Sequence, residues 1–423
     1  MTDNMHSIDQ NRFSRTMSRT FLSLRNRNFR LFFIGQMISN TGNWLTNVAL
    51  TLLILKLTGS GLAVGAVAAC QYGPILFFSA WGGAIADRVN KRRMLLVTQT
   101  LEMTQSIGLA ILAFQPHPSV AGLFVLAMIG GTLLAFDNPL RRSLVGEMVP
   151  ASDIPNAVVL YTIIINVSRV LGPALAGILS VTLGFGWCFT IDAASYVAVI
   201  TGILLMRPAD MHVRPHEPQT KGNVREGLRY IMSIPSLWIS FATLAAIGTF
   251  AFNFDVTLPL LVTRTLQSST SVYALIYATY GLGSVVCGLI VAHREVIKLR
   301  HVLVSAAVLG ITMLLLASVS RIAIAVPVVF LIGMASILYK TSAATIAQVD
   351  AKPAMHGRVL ALQTVCTAGT SLIGGPLCGY LADTLGARMP IIVGGMVCLG
   401  AAGFGFGAMR GFVGEKLPPS TQC

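Results

Sequence analysis

Apolar residues run along this chain in blocks of roughly 20, each long enough to cross a hydrocarbon core of ~30 Å. The blocks fall at 30 to 55, 61 to 86, 94 to 114, 119 to 138, 155 to 182 and 185 to 206, and then at 236 to 261, 272 to 292, 301 to 319, 322 to 344, 357 to 381 and 389 to 408. Short polar or basic connections separate them. The pattern predicts an all-α integral membrane protein with twelve transmembrane helices in two bundles of six, at 30–206 and 236–408. Polar segments at 1–29, 207–235 and 409–423 read as an N-terminal tail, a central loop and a C-terminal tail. The central loop carries Pro208, Pro215, Pro218 and Lys221 before an amphipathic stretch from Val224 to Met232.

Composition narrows the class further, because a chain that is 54% hydrophobic and 11% charged has too little polar surface for a soluble domain. The formal net charge of +14 suggests nucleic acid until the cations are placed along the spans. With the N-terminus inside, 25 of the 30 Lys and Arg fall in cytoplasmic segments, including Arg141, Arg142 and Lys340, and only Lys56, Arg264, Arg321 and Arg388 fall outside. Arg169 lies within a span. This is the positive-inside asymmetry, and it puts both termini in the cytoplasm. The basic surface therefore reports topology and contact with anionic lipid rather than nucleic acid. The first 29 residues lack the apolar core and cleavage site of a signal peptide. Seven cysteines fall mostly inside spans without metal-ligand spacing and read as small core residues.

The halves look like copies. Asp137-Asn138-Pro139 through Pro150, followed by Gly172-Pro173, has its counterpart in Lys340-Thr341-Ser342 through Pro353, followed by Gly375-Pro376, at an offset of 203 residues. A duplicated six-span unit is the ground plan of two-bundle secondary transporters. The loop after the second span, Gly83, Ile85, Ala86, Asp87, Arg88, Asn90, Lys91 and Arg92, resembles the G-x-L-A-D-R-x-G-R-K signature of the major facilitator superfamily. Asn90 stands where that pattern has Gly, and Asn tolerates left-handed geometry. Phe136 to Pro139, Val149-Pro150 and Asn156-Ala157 are similar to the bacterial branch that includes the enterobactin exporter and macrolide efflux proteins.

The resemblance implies alternating access between the two bundles. It implies conformational-switch roles for Gly83, Asp87, Arg88 and Arg92 in that loop, for Asp137 and Arg141 after the fourth span, and for Gly172 and Pro173. Asp87 is expected to meet the N-terminus of the eleventh span near Gly357 and Arg358. Gly172-Pro173 matches the fifth-span antiporter motif G-P-x-x-G-G only in part, since Leu175-Ala176-Gly177 replaces the adjacent glycines.

Polar residues inside spans mark cavities or helix contacts, because each is costly against lipid. Gln36, Asn40, Asn43 and Asn47 recur along one face of the first helix with Trp44 beside them, and Asn166 lies one turn from Arg169 in the fifth. A second stripe, Tyr273, Tyr277, Tyr280 and Ser284, marks the eighth. These are candidate substrate contacts, with interhelical hydrogen bonding and aromatic packing as the plain alternatives. Glu102, Asp192 and Asp255 are carboxylates inside spans, and low dielectric favours the protonated form of such a group. They are candidate proton carriers together with Arg169. The alternative is a structural pair of Arg169 with Glu102 or Asp192.

No phosphate-binding G-x-x-x-x-G-K-[ST] loop, H-E-x-x-H or nucleophile elbow occurs. The expectation is therefore a transporter, not an enzyme, without cofactor or metal, working as a monomer in a bacterial inner membrane on protons and a small molecule. Proton-coupled efflux of a bulky amphiphile (a siderophore, a macrolide or mixed drugs) leads. A uniporter, an importer or a non-transporting accessory protein are the alternatives.

Overall fold

The structure, a computed structural model, describes residues 21–86, 89–212, 224–291, 298–352 and 355–414. Every regular element among them is helical. The first half holds α1 (Arg27–Thr58), α2 (Gly61–Ala86), α3 (Lys91–Ala113), α4 (Val120–Glu147), α5 (Ile154–Thr182) and α6 (Phe185–Leu204). A short α7 (Val224–Ser233) leads into α8 (Pro235–Phe250), α9 (Phe254–Leu260), α10 (Thr270–Val291), α11 (Leu299–Ser318), α12 (Ile322–Val349), α13 (His356–Thr384) and α14 (Met389–Gly414).

Eleven helical segments among the described residues are long and apolar enough to cross a membrane. The twelfth span is α1, whose 32 residues include Gln36, Asn40, Asn43 and Asn47 and are correspondingly less apolar. It packs against α5 and α6 within the first bundle, and its amides are turned to the protein interior, Gln36 buried and the three asparagines on the central cavity. Large apolar side chains such as Ile38, Ile111, Val181 and Ile311 stay exposed on the outer faces, as a protein solvated by acyl chains requires.

Local signals set the helix ends. Asn90 caps α3 by accepting the Arg93 N–H at 3.1 Å, and Ser119 caps α4 through the Gly122 N–H at 3.2 Å. Gly59, Gly184 and Gly386 adopt positive φ in the turns that follow α1, α5 and α13, a geometry that glycine enters without steric cost. Those three turns share one end of the molecule, the far end. The start of α3, the end of α4 and the end of α6 meet at the other, the basic end.

Three spans differ from the sequence reading. The fourth and tenth spans continue past 138 and 344, since α4 reaches Glu147 and α12 reaches Val349. Arg141, read as a loop cation, therefore lies within a helix, as does Lys340, counted among the cytoplasmic cations although it falls inside the tenth block. The seventh span is broken between Phe250 and Phe254, and α9 then widens into a π-helical turn at Leu261–Thr265. Asn253 in the break donates to the Thr249 carbonyl at 2.8 Å, which satisfies an acceptor the helix would otherwise lose. Irregular backbone at this depth is tolerated where it borders a cavity.

The bundles meet along two seams, α2 against α13 and α5 against α10. Small residues make both close. A Cβ on Gly65 would sit 2.1 Å from the Gly375 carbonyl oxygen, one on Gly379 would sit 2.1 Å from that of Gly61, and one on Gly177 would lie 2.2 Å from the Ala274 Cβ. Glycine lets helix backbones approach this closely.

Candidate functional site

Between the bundles lies a cavity of about 430 Å³, within the range of small-molecule sites. From α1 come Asn40, Asn43, Trp44 and Asn47, so most of the polar stripe faces the cavity. From α5 come Tyr161 and Arg169, from α10 Tyr277 and Tyr280, and from α9 Asp255. Lys340 of α12 completes the wall, with its ammonium 4.2 Å from the centroid of the Phe252 ring. The Arg169 guanidinium lies 4.9 Å from the centroid of Trp44 in the same manner. Toward the basic end the lining continues through exposed Arg142, Thr364 and Thr367.

Three expected contacts lie elsewhere. Gln36 is fully buried one turn nearer the basic end, where it accepts a hydrogen bond from Arg141 at 3.0 Å. Asn166 is not among the lining residues. Tyr273 borders a separate small recess with Asp255 and Tyr277. The helix break sets Asp255 in the first turn of α9, beside the cavity.

A buried charge cluster occupies the first bundle behind the α1 stripe. Arg141 pairs with Asp137 one turn earlier and reaches Glu102 Oε2 at 3.2 Å. Its guanidinium also donates to Asn40 at 3.1 Å. Asp137 accepts from Thr98 at 2.7 Å and Gln99 at 2.9 Å, and Gln99 also donates to Glu102 at 2.9 Å. On the facing α6, Asp192 accepts from Thr46 at 2.8 Å and Ser106 at 2.5 Å and makes no ion pair among the described residues. Arg169 pairs with neither Glu102 nor Asp192. The cation of the cluster is Arg141, which sequence reading had put in a loop.

Glu102 and Asp192 both border a side recess of about 40 Å³ that shares Asn43, Asn47 and Tyr72 with the main cavity. Gln71 donates to Asn47 at 3.2 Å, and Asn47 to Asn43 at 3.3 Å. A continuous polar surface thus connects the cavity with two buried carboxylates.

The switch candidates separate in the same way. Asp87 and Arg88 lie outside the described residues. Arg92 caps the end of α6, donating to the carbonyls of Ile203 and Leu204 at 2.9 Å each. Arg358 pairs with Glu226 of α7 at 2.8 Å. Gly172 lies against α1, where a Cβ would meet the Trp44 Cβ at 2.4 Å, so Gly172-Pro173 serves contact within the first bundle, while Gly177 sits in the seam.

The far end is clasped across the bundles. The Asp383 carboxylate accepts from the backbone N–H groups of Gly61 at 2.7 Å and Leu62 at 2.9 Å and from the Ser60 hydroxyl at 2.9 Å, and it pairs with Arg264 at 2.7 Å. Arg264 donates in turn to the Gly59 carbonyl at 2.5 Å. Sequence reading missed this clasp. Two of its donors are backbone groups, which carry no residue signature.

Residues 18–411 match the family described as transmembrane secretion effector, a branch of the major facilitator superfamily. The chain belongs to that family. It is a multi-span membrane transporter and not an enzyme. It is 24% identical over 372 residues to the staphyloferrin A transporter of Staphylococcus aureus, covering 84% of this chain and 90% of that one. It is 25% identical over 388 residues to the enterobactin exporter of Shigella boydii, covering 89% and 88%. Among solved structures, the POT family transporter PepTSo superposes with a TM-score of 0.75 at 14% identity, covering 92% of this chain and 99% of that one. A bacterial homologue of the lysosomal transporter Spinster, in an inward-facing occupied conformation, superposes with a TM-score of 0.71 at 14% identity, covering 93% and 98%. At those identities the structural likeness bears on the fold alone.

Proposed function

We propose that this transporter exports a bulky organic molecule from the bacterial cytoplasm across the inner membrane, driven by protons entering in exchange. The cation distribution supports a cytoplasmic basic end. In that orientation the cavity opens inward and the clasp at Asp383 closes the outward path. The relatives named for staphyloferrin A and enterobactin favour a siderophore-like cargo over a macrolide.

The observation that carries proton coupling is a charge imbalance beside the cavity. Asp137, Glu102 and Asp192 are buried together in the first bundle, and among the described residues Arg141 is the one cation paired with any of them. Unpaired charge buried away from water is strongly disfavoured. The cluster approaches neutrality by binding protons, and Asp192, held only by hydroxyls and bordering the recess, is the natural carrier. Cargo leaving outward and protons arriving from outside would then alternate at neighbouring sites on one polar surface.

The test is efflux from proteoliposomes under an imposed pH gradient, acid on the side from which protons enter. Gradient-dependent movement of a siderophore-type cargo is expected. Equal transport with and without the gradient would replace antiport by uniport, and no transport of any compound would favour an accessory role.

A further inference from the structure

The cavity wall is electrostatically lopsided. Arg169 and Lys340 both line it, one from each bundle, and no carboxylate among the described residues lies within ion-pair distance of either. The buried Arg169 Nε makes no hydrogen bond. Arg142 adds a third cation at the mouth, a fourth, Arg141, is already paired with Asp137 and Glu102, and Asp255 is the one carboxylate in the lining. Each inner cation rests on an aromatic ring, Trp44 or Phe252, which fixes its position without neutralising it.

We propose that Arg169 and Lys340 form a two-bundle anion clamp, and that the cargo is an organic molecule bearing at least two acidic oxygen groups. This deepens the export reading and rests on it. A guanidinium takes a carboxylate or phosphate in a fork of two hydrogen bonds, and an ammonium takes one as a compact charge. The clamp also couples loading to movement. Arg169 belongs to α5 and Lys340 to α12, so like charges face one another across the space that must narrow when the cavity occludes. An anion between them turns that repulsion into attraction, and the loaded cavity closes more readily than the empty one. Cationic amphiphiles meet those three cations against the single carboxylate of Asp255.

Benzene-1,3,5-tricarboxylate, naphthyl phosphate and tetraphenylphosphonium serve as probes of the purified full-length protein in nanodiscs, read by thermal shift and by Trp fluorescence. The tricarboxylate should bind, tetraphenylphosphonium should not, and naphthyl phosphate decides whether phosphate oxygens also suffice. Arg169→Gln and Lys340→Gln should each weaken tricarboxylate binding at least tenfold, while Lys340→Arg retains most of it. Arg169→Lys preserves charge and guards against a folding defect in the Gln variant. Tetraphenylphosphonium binding without tricarboxylate binding, or unchanged affinity in both Gln variants, would overturn the clamp. Gradient-driven efflux of a cation alone would uphold export and sink the clamp. Tricarboxylate binding that depends on both cations, without transport of any compound, would do the reverse.

Discussion

Arg141 and Asp192 show how differently two buried polar residues of one bundle respond to substitution. Arg141 is the cation for both Asp137 and Glu102. Arg141→Met leaves those carboxylates without a counter-charge, a type of loss that costs about 3–5 kcal/mol in buried pairs. The expected outcome is a large fall in folded yield and in the thermal transition by size-exclusion chromatography and fluorescence. Asp192→Asn is nearly isosteric, and its amide oxygen can still accept from Thr46 and Ser106. It should fold normally, lose at least tenfold in gradient-driven efflux, and keep exchange of labelled for unlabelled cargo without a gradient. Loss of exchange as well would make Asp192 a structural residue.

At the scale of the helix, legibility in the sequence followed from what surrounds each element. The α1 stripe was readable because 3.6-residue periodicity puts Asn40, Asn43 and Asn47 on one face. Gln36 shares that face but meets Arg141, because the neighbour at its level is α4 and not the cavity. The ends of α4 and α12 were not readable. Asp137-Asn138-Pro139 followed by two arginines has the composition of a loop, yet Asp137 and Arg141 neutralise one another at i and i+4, and Thr98, Gln99 and Gln36 satisfy them. A segment looks too polar to be buried only until its partners on other helices are known. Lys340 was hidden for the same reason, although the 203-residue repeat aligns it with Asp137. The seams follow a simpler rule of space. Gly65→Ala would place a methyl 2.1 Å from the Gly375 carbonyl oxygen, whereas Gly73→Ala would meet only the movable end of Leu372 at 2.8 Å. The first should part the far half of the α2–α13 seam and raise labelling of far-end cysteines. The second should leave labelling near wild type, and equal labelling of both would remove close packing as the determinant of closure.

For the molecule as a whole, the clasp at Asp383 joins a residue and a cation of the second half to the turn between α1 and α2 of the first. Opening the far end requires breaking the Asp383 and Arg264 contacts to Gly59, Ser60, Gly61 and Leu62 together. Both side chains are partly exposed, Arg264 at 31% and Asp383 at 26%, so solvent weakens the ion pair. The carboxylate at the first turn of α2 adds the attraction of an anion for a helix N-terminus. Asp383→Asn removes the charge from both interactions and should shift the balance toward the far-open state by about tenfold, or ~1.4 kcal/mol. Spin labels at exposed Leu57 and Leu385, on opposite bundles in a background free of the native cysteines, would report it as growth of a longer-distance population. The double exchange Asp383→Arg with Arg264→Asp separates the two contributions. It can restore an ion pair, but it sets a guanidinium against backbone donors that need an acceptor. If the clasp works through the α2 N-terminus, the exchanged protein stays as far-open as Asp383→Asn. If it works through the ion pair, the short distance returns, and if neither variant moves the distribution, the α2–α13 glycine seam alone holds the far end shut.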